Sequence, residues 1–263
     1  MSESNQQPFY EALERTLASR DLNLAAICPP DDLVARRVLH DYGAMFVASD
    51  AVVPPPLCVF SNEAQVTKFQ ESAGRAAATI DGAVIELQPA AMAALLQARS
   101  VALSEGLNIT PRDGAEAARR DFADTVRLWN SRFLPALDHW TGQGRLSERE
   151  TSKLRALPVH EQVPVVLQLE QEGIFFSKDF SKSVLYSIAA PGTSQHVAML
   201  AFDANEFLEE RVRQILARHG WFQTVLSDLP HFTFLGLAES ELAERGLKRV
   251  EVHGQAFWIP DVR

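Results

Sequence analysis

Residues 190–207 read APGTSQHVAMLAFDANEF, and the fold turns on how this run is read. His196 and Asp203 stand seven residues apart in an otherwise apolar stretch. Burying an ionisable group there is costly unless something pairs with it, so the two residues ask for a hydrogen-bond partner or a metal. On a regular strand, residues seven apart point to opposite faces. Convergence then needs a bulge, or a turn between two short strands. A helix would restore the parity, but Pro191 and Gly192 precede an uncapped run.

Downstream, residues 221–236 read WFQTVLSDLPHFTFLG, two strand-like runs joined by SDLP. Pro230 pushes Leu229 out of helical geometry. Asp228 is therefore expected at a loop mouth and His231 on a strand edge. Two imidazoles and a carboxylate (His196, Asp203 and His231) with an open fourth position make a reasonable catalytic zinc set. Zinc polarises a carbonyl and brings the pKa of bound water near neutrality, and Asp228 is placed by sequence to act as general base. Each residue also has a plainer use. The histidines can be hydrogen-bonded packing residues, Asp203 can cap a helix starting near Asn205, and Asp228 can be a turn residue.

Working outward, residues 8–40 read as helix broken at ICPPDD, with Asp31 or Asp32 able to cap the second part. AMFVAS and LCVF read as short strands around VVPPP. SNEAQVTKFQESAG reads as a helix capped by Ser61 and stopped at Gly74. AVIELQ is strand-like, and a helix follows from Pro89 to a stop at Gly106. A long amphipathic helix is expected from Ala115 to Trp140, carrying Phe122, Val126, Trp129 and Phe133 at three-to-four spacing. TGQGRLSERE is a polar break ending in a Ser147 cap, followed by two helices and a long irregular connection over 173–195. A helix from Asn205 to His219 and a closing hairpin around Gly254 complete the pattern. Helix-rich first and strand-rich last indicates an α+β fold, with a small antiparallel sheet carrying the site between helices. The expected organisation is an N-terminal helical extension, residues 1–82, before a domain over 83–263 with a helical insertion at about 141–172.

The chain has 263 residues, a formal charge of −9, 46% hydrophobic and 22% charged residues. That supports a sizeable core and argues against a nucleic-acid partner, which would want a basic patch. Two cysteines, Cys28 and Cys58, are too few for a disulfide framework; they can pair in an oxidising compartment or stay as two buried thiols. No run is long and apolar enough for a membrane span.

PGTSQHVAMLAFD, followed by HGWFQTVLSDLPHFTFLG, resembles the zinc D-alanyl-D-alanine carboxypeptidase and dipeptidase family of cell-wall peptidases. That family carries Ser-x-His-x-x-Gly-x-Ala-x-Asp, then Glu or Asp, two residues, and His. Ser194, His196, Ala201 and Asp203 match the first element. Asp228 and His231 match the second, and Gly220 and Trp221 fit the segment before it. Upstream, IELQPAAMAALLQARSVALSEGLNITPRDG resembles the family's helix, strand and arginine-bearing loop, with Arg112 in the arginine's place. The resemblance covers about residues 83–236.

It implies a zinc metallopeptidase hydrolysing peptidoglycan-type peptides, as a D,D- or L,D-carboxypeptidase. Zn2+ would be held by His196, Asp203 and His231, with Asp228 as base. Arg112 would hold the substrate carboxylate or the oxyanion, and Ser194 would touch substrate. Met199 occupies the family's glycine position. The alternative is an inactive peptidase-like module that binds zinc or a peptide without turning it over. The partner is a peptide or muropeptide, and oligomeric state is not legible. A cell-wall substrate suggests the envelope, whereas MSESNQQPFYEALERTL, lacking the apolar run of a secretory leader, suggests the cytoplasm. Compartment stays open.

Overall fold

A computed structural model describes residues 7–262 of the chain. In chain order it contains α1 (Pro8–Ala18), α2 (Leu24–Ile27), α3 (Leu33–Tyr42), α4 (Glu63–Ala73), β1 (Ala76–Ile80), β2 (Ala83–Leu87) and α5 (Pro89–Ser104). Then come α6 (Phe122–Gly142), α7 (Glu148–Ala156), α8 (Val159–Gln171), β3 (Ala201–Asp203), α9 (Glu210–Arg218), β4 (Trp221–Phe222), β5 (His231–Phe234), β6 (Leu247–Val252) and β7 (Gln255–Pro260). The fold is α+β with small antiparallel sheets, as the sequence pattern implies. Among the described residues no helix is long and apolar enough to cross a membrane.

Two compact units are distinguished. The first gathers residues 7–58, Thr67–Arg120 and 195–262; the second gathers Val59–Val66 and Asp121–Ser194. The N-terminal helices thus belong with the sheet-bearing segments.

In the first unit β3, β5 and β4 form a three-stranded sheet in that order, and β1–β2 and β6–β7 are separate hairpins. The hairpin turns are built alike. Asp81 and Gly82 have φ of 50° and 80°, and His253 and Gly254 have 52° and 72°, two successive left-handed residues as in a type I′ turn. Gly220 and Gly236 meet where β4 begins and β5 ends: a Cβ on Gly220 would stand 2.8 Å from Gly236 Cα. Cys28 and Cys58 form a disulfide with Cα atoms 5.2 Å apart, inside the usual range for such a bridge.

The second unit is helical. Asp121 caps α6 in a reciprocal box with Asp124, and Ser147 does the same for α7 with Glu150, each satisfying amide donors the first turn leaves open. Trp129 stacks on Phe133 and Phe133 on Phe176, at 5.9 and 6.0 Å. Trp129 Nε1 donates to Gln162 Oε1 at 2.9 Å, which settles the one polar atom of that buried ring.

Four local expectations are corrected. AMFVAS is not a strand: Gly43–Val47 is a 3-10 turn with all five residues buried, and a short uniformly apolar run suits a buried helical turn as well as a strand. LCVF forms no strand either. The helix expected from Ala115 begins instead at Phe122: Gly114–Ala117 is a separate 3-10 turn that ends at Ala118, whose φ of −124° and ψ of −105° leave helical geometry, and the capping box lies at Asp121. The helix expected from Asn205 starts at Glu210. Asn205 Nδ2 donates to Thr110 Oγ1, and Glu206 accepts from Thr110 N and Oγ1, so these residues serve the neighbouring loop.

Candidate metal centre

In the antiparallel β3–β5 pair, Asp203 stands directly across from His231, so their side chains leave the same face as neighbours. His231 is set by the turn before it: its N–H donates to Asp228 O at 3.2 Å, and Ala204 N–H donates to Pro230 O at 2.9 Å. His196 reaches the same point from outside the sheet. Residues 195–199 form a turn, closed by Met199 N–H to His196 O at 3.0 Å and Leu200 N–H to Gln195 O at 3.2 Å. This turn before a short strand removes the parity objection.

The turn is completed by Met199 at φ 56°, fully buried. A methionine here holds a conformation that glycine takes without penalty and other residues take at about 1–2 kcal/mol. Two glutamines support the turn through its carbonyls. Gln70 Nε2 donates to Val197 O at 3.0 Å and to Arg120 O at 2.9 Å; Gln88 Nε2 donates to Ala198 O at 2.9 Å. Gln88 N–H also donates to Met199 O at 3.1 Å.

The donor atoms converge. His196 Nε2 lies 3.1 Å from His231 Nδ1 and 3.4 Å from Asp203 Oδ1, and His231 Nδ1 lies 3.1 Å from Asp203 Oδ1. All three residues are buried. Hydrogen bonds on the far side of each ring fix the tautomers. His196 Nδ1 is 2.7 Å from Ala118 O, an atom that only accepts, so the proton sits on Nδ1 and Nε2 is unprotonated. Gln195 donates its Nε2 to Tyr42 O at 3.0 Å, which turns its Oε1 toward His231 Nε2 at 2.7 Å and Thr233 Oγ1 at 2.6 Å. His231 therefore carries its proton on Nε2 and presents Nδ1 inward.

Burial pulls the His196 pKa down to about 4, against the opposing pull of the Asp203 charge. Burial also pushes Asp203 upward, but the charges and hydrogen bonds of His196 and His231, in their protonated form, outweigh it and hold the carboxyl well below the usual carboxylate range. With both imidazoles neutral, three acceptors face one another at 3.1–3.4 Å, an arrangement that a cation between them relieves. A tetrahedral ion with metal–nitrogen bonds of ~2.0–2.1 Å sets its ligand atoms ~3.3–3.4 Å apart. The group can hold a metal ion, and the donor set of two imidazoles and a carboxylate fits zinc.

Asp228 is open to solvent yet surrounded by protein on most sides. That surrounding protein raises its pKa; His231 pulls it back, Asp203 adds to the rise, and Arg120 and Arg112 oppose it. Arg112 gives its N–H to Asp203 O at 2.8 Å. Its half-exposed guanidinium stands over the Phe207 ring at 5.7 Å, with Asp113 at 3.9 Å. Ser194 is buried and is the last residue of the second unit.

Sequence reasoning passed over two residues. Arg120 Nη2 pairs with Asp203 Oδ2 at 3.1 Å, its Nε donates to Glu116 O at 3.1 Å, and its N–H donates to His196 O at 3.3 Å. Gln195 orients His231. The available signals were an arginine pair, RR, before an aspartate cap, and a glutamine inside the histidine motif itself. Comparison of the chain with protein-family models, curated proteins and solved structures returns no match.

Proposed function

We propose that this protein is a zinc-dependent peptidase acting on peptidoglycan-type peptides, as a D,D- or L,D-carboxypeptidase. The observation that carries the reading is the convergence of His196 Nε2, His231 Nδ1 and Asp203 Oδ1 within 3.4 Å, with the protons held on the far ring nitrogens. A zinc ion bound there supplies Lewis acidity and makes water acidic enough to attack near neutral pH.

The chain's own residues do the rest. Asp228, whose carboxyl feels the charges of His231 and Asp203, takes a proton from the attacking water and returns it to the leaving amine. An aspartate is shorter than a glutamate, so the turn over Val225–His231 must bring it close, and the Asp228 N–H to Val225 O bond of 3.1 Å tightens that turn. Arg120 is committed to Asp203 and keeps that carboxylate oriented. Arg112, half-exposed and with its nearest carboxylate at 3.9 Å, is the cation open to a substrate carboxylate, for which a guanidinium fork is well shaped.

The test joins metal analysis to peptide turnover. Protein purified without chelator should carry about one zinc per chain, lost in His196→Ala. Asp228→Ala should keep the metal and lose at least ~100-fold in hydrolysis of a peptide ending in D-Ala-D-Ala, read by mass spectrometry. Retention of the peptide without any product by the unaltered protein would make it a binding module instead. Absence of metal after zinc is added at neutral pH would remove the peptidase reading.

A further inference from the structure

A cavity of about 670 Å³ lies against the first unit's three-stranded sheet, and none of the metal donors lines it. Its size falls within the range of small-molecule sites. Side chains alternate along β5, so Phe232 leaves the face opposite His231. On that face Phe232 and Trp221 line the cavity, and Trp258 of the β6–β7 hairpin lines it too. Trp258 Nε1 donates to Glu239 Oε1 at 3.1 Å, which fixes the indole's edge. Trp221 is fully buried, and among the described residues its indole N–H is one of few buried side-chain donors with no partner.

Charge narrows the occupant. Arg213, Arg218 and Arg249 line the cavity against Glu210 and Glu239, which leaves a single positive charge. Arg213 is partly used, donating Nη1 to Phe207 O at 2.9 Å. Arg249 has its nearest carboxylate, Glu251, at 3.9 Å. Arg218 makes no ion pair and no side-chain hydrogen bond among the described residues. One excess positive charge suits a monoanion and not a polyphosphate. The two glutamates accept from hydroxyl groups, and the aromatic wall asks for a ring with an apolar face.

We propose that this cavity binds an acidic sugar, a ring bearing one carboxylate and several hydroxyls. Arg218 and Arg249 hold the carboxylate, Glu210 and Glu239 accept from hydroxyls, and Trp258 covers the ring's apolar face. The proposal does not rest on the peptidase reading.

Binding of D-glucuronate, D-glucose and benzoate to the full chain, measured by calorimetry and ligand-observed NMR, tests it. Glucuronate should bind at least tenfold more tightly than glucose or benzoate. Replacing both exposed arginines (Arg218→Gln with Arg249→Gln) should cost at least tenfold in glucuronate affinity while Tm stays unchanged, and Trp258→Leu should weaken both sugars together. Adding zinc or chelator should leave the affinity as it is, which separates this site from the metal centre. Glucose binding as well as glucuronate, benzoate binding better, an unchanged double variant, or no binding of any probe at millimolar concentration would each overturn the proposal.

Discussion

The helical unit and the metal centre differ in how far along the chain their decisive contacts reach. In the helical unit, Asp121 answers Asp124, Ser147 answers Glu150, and Asp179 binds the hydroxyls of Ser177 and Ser181. At the metal centre, His196 is oriented by a carbonyl 78 residues away, and the turn that carries it is held by Gln88 from 110 residues away. Local contacts form without closing long loops, whereas distant ones must first overcome loop-closure entropy. The helical unit should therefore be robust to changes that loosen the metal centre, and that contrast can be tested at several strengths.

The largest effect should come from reducing the Cys28–Cys58 disulfide, which closes a segment with a sequence separation of 30. A loop of that length is worth ~3–4 kcal/mol in the chain-entropy model. Denaturant midpoints with and without reductant should show most of that loss in the first unit. Equal loss of amide protection in α6–α8 would mean that the two units unfold as one.

Next comes metal. Zinc at a hundred times its dissociation constant should add ~2.7 kcal/mol of stability, absent in His196→Ala. Hydrogen exchange should show the gain at residues 195–203 and in β5, with α6–α8 unchanged.

What could be read in the sequence followed the same divide. The Ser147 cap, the break at SDLP and the hairpin about Gly254 are local signals, and each stands in the structure. The Asp81–Gly82 turn is local too, but AAATI offers little β-branched character to announce the strand before it. At the site, the three donors were legible as residue types at a spacing. The turn that brings His196 round to Asp203 was not, because it depends on a left-handed Met199 and on carbonyls held by Gln70 and Gln88 from other parts of the chain. Arg120 and Gln195 escaped notice because their roles exist only once the imidazoles have been oriented.

Met199 gives a smaller and more pointed test. In most positions glycine is less stable than alanine, but at φ 56° the order should reverse. Met199→Gly should exceed Met199→Ala in stability by ~1 kcal/mol, because both lose nearly the same buried side chain and only alanine keeps the strain. Alanine equal or better in a denaturant titration would show that the turn has relaxed to another conformation.

The smallest effect belongs to the helical unit. Hydrogen bonds from Ser177 and then Ser181 hold the Asp179 pKa down to about 2. A carboxyl lowered on folding stabilises fully above its unfolded pKa, near 3.8, and loses that contribution as pH falls through about 2. Amides of residues 177–182 should therefore exchange faster as pH falls across that window, after correction for the intrinsic rate. Asp179→Asn should abolish the change.

The direct pairing of Asp203 with His231 has a consequence for folding fidelity. A one-residue slip of β5 against β3 would carry His231 to the opposite face and bring Phe232 to the donors. With a metal bound, the group would work as a register gauge, since only the correctly paired strands present Asp203 and His231 together. A preparation containing slipped chains would bind less than one equivalent of metal at full mass and near-normal helix content, so metal stoichiometry would count the correctly paired molecules.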